Sequence, residues 1–166
     1  MPINFDQLWN HVTPLCHAPW SVHGPDHWRR VERNGLILAP DAGADVEIVR
    51  LFALFHDSCR VNDGHDPGHG ARGAALAASL RGRLFELSDA RFDLLRRACA
   101  GHTDERHHAD ATIGACFDAD RLDLGRVGMI PSAAYMSTEL GRRIAEFGSV
   151  ERWLATSGEG ARPNRR

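Results

Sequence analysis

Four groups of residues in this sequence carry side chains that bind divalent metal ions. They are His27, the adjacent pair His56-Asp57, His102, and an acidic cluster at 118–123. A metal site needs several neutral imidazoles or carboxylates that converge from different elements of the fold. The pair is the most informative feature, because it ends the most apolar segment of the chain, where ionisable groups are costly unless paired or metal-bound. We therefore predict a metal site assembled around His56-Asp57.

The elements that must position these residues are predicted to be helical almost throughout. Asn4 or Asp6 can cap a first short helix, and a second is predicted over 25–39, before a turn at 40–43. Asp45 is the expected N-cap of a helix that runs to about Asp57; it is apolar on nearly all sides, so we expect it at the centre of the fold. Further helices are predicted over 71–80, 88–98 and 111–124, and a last pair of helical segments over 133–155, with polar loops at 60–70 and 101–110.

No segment shows convincing strand alternation, so the predicted fold class is all-α with a single domain. We place the domain at 1–155 and predict a disordered tail over 156–166, which is rich in Gly, Pro and Arg.

Composition and charge argue against some classes of function. Of 166 residues, 43% are apolar and 25% charged, as in an ordinary globular protein. A net charge of −2 gives no electrostatic footprint for duplex nucleic acid or an anionic membrane. With no apolar run near ~18 residues and no signal core, we expect a cytoplasmic protein with a small-molecule partner. Whether it forms a homo-oligomer is left open.

The order His27, His56-Asp57, Asp120 resembles the HD-domain superfamily, an all-α family named for its adjacent His-Asp pair. His27 stands in the pattern H-x-x-R-V and Asp120 in A-D-R-L-D, as the corresponding ligands commonly do in that family, and the resemblance covers 24–128. It implies an HD-type helical bundle in which His27, His56, Asp57 and Asp120 hold a divalent ion: Mn, Fe, Co, Ni, Mg or Zn. It also implies a metal-dependent phosphohydrolase that uses metal-activated water on a phosphate ester, with a nucleotide or a related small molecule as the expected substrate.

Two more histidines bear on the number of ions. Some HD families bind two ions and add histidines between the HD pair and the last aspartate, and His69 and His102 lie in that interval. They either hold a second ion, which Asp57 would bridge, or act as proton donors, or orient the substrate.

Several other residues are candidates for contact with substrate or phosphate. Arg60 and Arg121 offer the planar fork of donors that suits a phosphate group, although ordinary ion pairing explains them equally well. Asn62 and Asp63 lie in the loop after the HD pair, and His23 precedes the helix of His27 and could face the same pocket. Asp118 and Asp123 are interpreted as solvated or structural.

Two other functions keep the same metal site. Some HD-like proteins hold two irons and use dioxygen to cleave C–C or C–P bonds, and the extra histidines allow that chemistry here. A non-catalytic module that binds a metal or a nucleotide is the third hypothesis.

Overall fold

The computed structural model describes residues 2–159, with side chains described through 157. This part of the chain contains eight α-helices and no β-strand, as the all-α prediction requires. The helices are α1 (Phe5–Val12), α2 (Pro25–Ala42), α3 (Val46–Phe55), α4 (His69–Leu80), α5 (Asp89–Gly101), α6 (Ala111–Arg121), α7 (Glu139–Glu146) and α8 (Val150–Glu159). Short 3₁₀ turns at 13–15, 124–127 and 133–135 join them.

Helix α3 is the central element of the bundle. Its N-cap Asp45 accepts hydrogen bonds from the backbone N–H groups of Glu47 and Ile48, at 3.1 and 3.2 Å. Seven of its ten residues are buried, and α2, α4, α5 and α6 pack around it. The prediction of a central apolar helix that leads into the HD pair is confirmed.

Helix α4 reaches its neighbours through small residues. A Cβ on Gly73 would overlap the carbonyl oxygen of Phe55 at the end of α3, and one on Gly70 would overlap the carbonyl oxygen of Cys99 in α5. Helix α4 therefore lies closer to both helices than a larger residue would permit, which brings His69 and His102 together.

The end of α2 differs from the prediction. We expected a turn at 40–43, but the helix continues through Pro40 to Ala42. A proline in the last turn removes one backbone hydrogen bond without breaking the helix there, and Gly43 ends it with a left-handed φ of 67°.

The C-terminal helix also passes the predicted end of the domain. Helix α8 continues four residues beyond 155, to Glu159, and the rest of the predicted tail, 160–166, lies outside the described residues. Among the helices that the structure describes, none combines the length and the apolar character needed to cross a membrane.

Candidate metal centre

The HD pair lies at the buried end of α3. His56 is the C-cap residue of the helix and Asp57 follows it; both side chains are almost completely inaccessible to solvent. Two pairs of imidazoles, His27 with His56 and His69 with His102, face the Asp57 carboxylate, one pair toward each oxygen.

The first pair lies between Asp57 and Asp120. The Nε2 atoms of His27 and His56 are 3.1 Å apart, and they lie 3.6 and 3.7 Å from Asp57 Oδ2. Asp120 Oδ1 is 3.3 Å from the His27 nitrogen and 3.9 Å from the His56 nitrogen. The structure thus brings together all four residues that the sequence pattern predicted as ligands.

The second pair lies against the other carboxylate oxygen. The Nε2 atoms of His69 and His102 are also 3.1 Å apart, and they lie 3.2 and 3.7 Å from Asp57 Oδ1. Ligand atoms of Asp57, His69 and His102 fall within 4.8 Å of one another, as do those of His27, His56 and Asp57. Asp57 is therefore common to both groups.

Backbone carbonyls fix the orientation of three of these rings. The Nδ1 atoms of His56, His69 and His102 lie 3.1, 2.6 and 2.7 Å from carbonyl oxygens, those of Phe52, Asp66 and Cys99 respectively. A carbonyl oxygen only accepts, so each Nδ1 carries the proton and donates. In the neutral rings each Nε2 is left with a free lone pair directed at the centre.

A carboxylate fixes the fourth ring. His27 Nδ1 donates to Asp123 Oδ2 at 2.7 Å, and the other oxygen of Asp123 accepts from Arg30 Nε at 2.7 Å. Asp123 is therefore structural, one of the two roles expected for it. Asp118 is structural too, since it accepts from the backbone N–H groups of Ser137 and Thr138.

The geometry of the first pair fits a cation. Two imidazole nitrogens 3.1 Å apart, each a lone-pair acceptor in the neutral ring, repel each other unless a proton or a metal ion lies between them. On the side of the second pair, the buried Oδ1 of Asp57 makes no hydrogen bond within the described residues and is an orphaned acceptor of the kind that metal coordination satisfies. Mixed imidazole and carboxylate donors suit several divalent ions.

Protonation equilibria follow from the same contacts. Burial lowers the pKa of His56 to about 3, so this ring is neutral. Burial also acts to lower the pKa of His27, but hydrogen bonds to Asp120 and Asp123 outweigh it and raise that pKa. Burial alone would raise the pKa of Asp57, yet the surrounding histidines hold it well below its usual range. These contacts with Asp120 and Asp123 therefore favour the protonated form of His27.

Arg60 covers the second pair. Its Nη1 lies 3.1 Å from His69 Nε2 and 3.5 Å from Asp57 Oδ1, while Nη2 donates to the carbonyl of Gly64 at 2.9 Å. A second ion at His69 and His102 would have to displace this guanidinium, so Arg60 competes with it.

The other predicted substrate contacts differ in their placement. His23 lies at the centre, with Nδ1 2.9 Å from Asp57 Oδ2. Asp63 is exposed and accepts a hydrogen bond from Ser21, and the Asn62 side chain accepts from the backbone of its own loop. Arg121 donates to the carbonyls of several residues, including Tyr135 at 2.9 Å, so its donors already have partners.

Sequence reasoning missed Arg126 as part of the site. Its Nη2 lies 3.6 Å from Asp120 Oδ1, and its buried Nε makes no hydrogen bond. The residue follows α6 in a 3₁₀ turn, where no periodic pattern distinguishes it from an ordinary surface arginine.

A pocket of about 550 Å³ opens onto the centre. Its inner end is formed by ionisable side chains and its outer wall by apolar ones. Those at the inner end are His23, Asp57, Arg60, His102, Asp120, Arg121 and Arg126. The pocket gives a small molecule access to Asp57 and Asp120.

The helical bundle brings histidines and aspartates from separate helices to one carboxylate, an arrangement whose donor set suits a divalent metal ion. The HD domain family model matches residues 26–147, and the chain belongs to that family. The HD family is one of metal-dependent phosphohydrolases, which confirms the resemblance drawn from the sequence.

One solved structure is similar over nearly the whole chain. It is a predicted HD superfamily hydrolase from an uncultured Thermotogales bacterium, with a TM-score of 0.70 and 23% identity, covering 95% of this chain and 90% of the other. At that identity the likeness shows the fold. No curated protein sequence matches the chain.

Proposed function

We propose that this protein hydrolyses a phosphate ester of a small molecule, such as a nucleotide or a related compound, with a divalent ion held by His27, His56, Asp57 and Asp120. The observation that carries the proposal is the pair of Nε2 atoms 3.1 Å apart, beside two carboxylates and at the inner end of an open pocket. A bound divalent ion lowers the pKa of water and polarises a phosphoryl oxygen.

The chain's own residues supply the remaining requirements. Asp123 and the carbonyl of Phe52 hold the first two imidazoles in the tautomer that leaves Nε2 free. Arg60 and Arg126, both at the inner end of the pocket, supply positive charge toward a phosphate group. His23 lies against Asp57 and also lines the pocket, so it is placed to orient a substrate there.

The test is a screen of purified protein against phosphorylated small molecules with Mn²⁺, Co²⁺, Fe²⁺, Ni²⁺, Mg²⁺ and Zn²⁺. We expect metal-dependent release of phosphate, with at least a hundredfold loss in His56→Ala and in the near-isosteric Asp57→Asn, since ligand loss removes the ion (~3 kcal/mol or more). His11→Ala, an exposed histidine on α1, is the matched control and keeps full activity. Circular dichroism of each variant shows whether it folds, and activity that persists in folded His56→Ala and Asp57→Asn overturns the proposal.

A second candidate rests on the second imidazole pair. The two groups of potential ligands, His27, His56 and Asp57 and then Asp57, His69 and His102, also suit two irons and an oxygen-dependent reaction. Iron at two ions per chain together with substrate-dependent oxygen consumption would support it. Bound metal with turnover of neither kind would favour a non-catalytic module.

A further inference from the structure

The outer wall of the pocket is formed by four large apolar side chains that are unusually exposed. Val127, Met129, Ile130 and Tyr135, here named the apolar rim, are 43%, 57%, 78% and 50% exposed. Single exposed apolar side chains are common on protein surfaces. Four of them within nine residues, all lining one cavity, are typical of a surface that binds a ligand.

The rim has a defined position relative to the metal centre. Arg121, next to Asp120 in α6, donates to the backbone carbonyl of Tyr135 at 2.9 Å. The guanidinium of Arg106 lies 4.5 Å above the Tyr135 ring, and His107 Nε2 donates to the carbonyl of Ala134 at 2.8 Å. The Tyr135 end of the rim is therefore tied to the same helix that carries Asp120.

Charges in the pocket limit the number of phosphate groups. The formal charges of the arginines and aspartates that line the pocket sum to zero. There are three of each: Arg60, Arg121, Arg126, Asp57, Asp63 and Asp120. A single phosphate group carries about two negative charges, which one divalent ion balances. Each additional phosphate group would need further cations, yet the donors of Arg60 and Arg121 are already bound to carbonyl oxygens or to His69. The two terminal nitrogens of Arg126 likewise face the carbonyl of Asp123 and the carboxylate of Asp120.

From these observations, and resting on the proposed function, we infer that the substrate is a phosphate monoester with a single phosphate group and an apolar face on its alcohol part. The phosphate lies at the inner end of the pocket. The apolar part contacts Ile130, Met129 and Tyr135, which act as specificity-determining residues, and none of the four rim residues carries a charge that could hold a second phosphate.

Binding of two phosphonates tests the inference without turnover. Calorimetry of the Mn²⁺-loaded protein should give benzylphosphonate an affinity about tenfold or more above that of methylphosphonate, since apolar groups of this size discriminate ~10- to 200-fold. Ile130→Gln and Tyr135→Ser should remove most of this difference without changing methylphosphonate affinity. Leu36→Gln, which changes a 43% exposed apolar residue on α2 outside the pocket, is the matched control.

Turnover provides a second readout. We expect 1-naphthyl phosphate to be hydrolysed with a higher kcat/KM than glycerol 3-phosphate, and adenosine monophosphate with a higher one than adenosine triphosphate. Equal affinity for the two phosphonates, or a preference for the triphosphate, overturns this inference while metal-dependent hydrolysis leaves the proposed function intact. If no phosphate ester is hydrolysed and neither phosphonate binds, the proposed function fails and this inference fails with it.

Discussion

Asp57 is the residue on which the candidate site depends, because it faces two imidazole pairs with different oxygens. The adjacent pair and its position on an apolar segment were enough to predict its importance from sequence. His27 and Asp120 could be predicted as well, since they stand in short patterns on helices. Asp123 could not be predicted as the partner of His27, because that contact joins residues distant along the chain. The sequence suggests Arg126 only as an alternative salt-bridge partner of Asp120, and it lies 3.6 Å from that carboxylate.

Asp123 should matter for metal affinity without being a ligand. Replacing it by Asn removes the negative charge that holds the Nδ1 proton of His27. We expect Asp123→Asn to weaken metal binding about 10- to 100-fold, the usual effect of losing such a supporting carboxylate. Titration with Mn²⁺ measures it. The exposed Asp26→Asn on α2 serves as the control, and equal affinities for the two variants would contradict the role given to Asp123.

Metal binding should release a proton from His27. The pKa of His27 is raised above its ordinary 6.5, so below that raised value the ring is protonated and an ion has to displace the proton. Affinity should therefore fall as the pH drops through the raised pKa, by about tenfold per pH unit, and level off above it.

Calorimetry in two buffers with different ionisation enthalpies counts the protons released. We expect about one proton per ion when the pH is about one unit or more below the raised pKa. An affinity that does not change with pH across this range would show that no proton occupies the site.

At the scale of elements, several helix boundaries lie at the capping residues that the sequence predicted, and a boundary that differs has a cause in the sequence around it. The N-cap at Asp45 is where the sequence indicated it, and of the two candidates for the first helix it is Asn4 that caps α1. Helix α2 passed Pro40 because the proline falls in the last turn, where a lost hydrogen bond matters little. The close approach of α4 to two helices was suggested by its small residues, but which glycines contact which helix depends on packing that periodicity does not contain.

Gly73 should be intolerant of a side chain. A methyl group there would overlap the carbonyl oxygen of Phe55, which is backbone and cannot move aside. We expect Gly73→Ala to lower the free energy of unfolding by about 1–3 kcal/mol, as overpacked positions do. Urea denaturation measures the change. Gly125→Ala, where no heavy atom lies within 4 Å of the added Cβ, should have little effect, and equal values for both variants would contradict the packing argument.

At the scale of the whole molecule, helix packing brings the candidate ligands of α2, α3 and α6 to one buried point. The helical fold class was predictable from composition and pattern, since no segment favours strands. The convergence of side chains separated by as many as 96 positions, such as His27 and Asp123, was not, because it depends on how α2 packs on α6.

A metal ion should stabilise the fold as a whole. An ion that binds only the folded state, at a free concentration one hundred times its dissociation constant, adds about 2.7 kcal/mol to the free energy of unfolding. For a chain of 166 residues this corresponds to a Tm increase of about 5–10 °C. Thermal melting with Mn²⁺ and with a chelator measures it. Asp57→Asn should lose most of the increase, whereas His11→Ala should keep it; an equal increase in all three proteins would place the ion elsewhere.

The facing imidazoles of His27 and His56 serve the proposed metal site but lower the stability of the folded state. Apolar side chains of similar volume at this buried position would pack without desolvating charged groups, and such replacements often stabilise a protein while they abolish its site. In the absence of an ion, the chain therefore folds with a local arrangement that works against the folded state. The apolar surface that α3 buries has to offset this arrangement at its own C-terminal end.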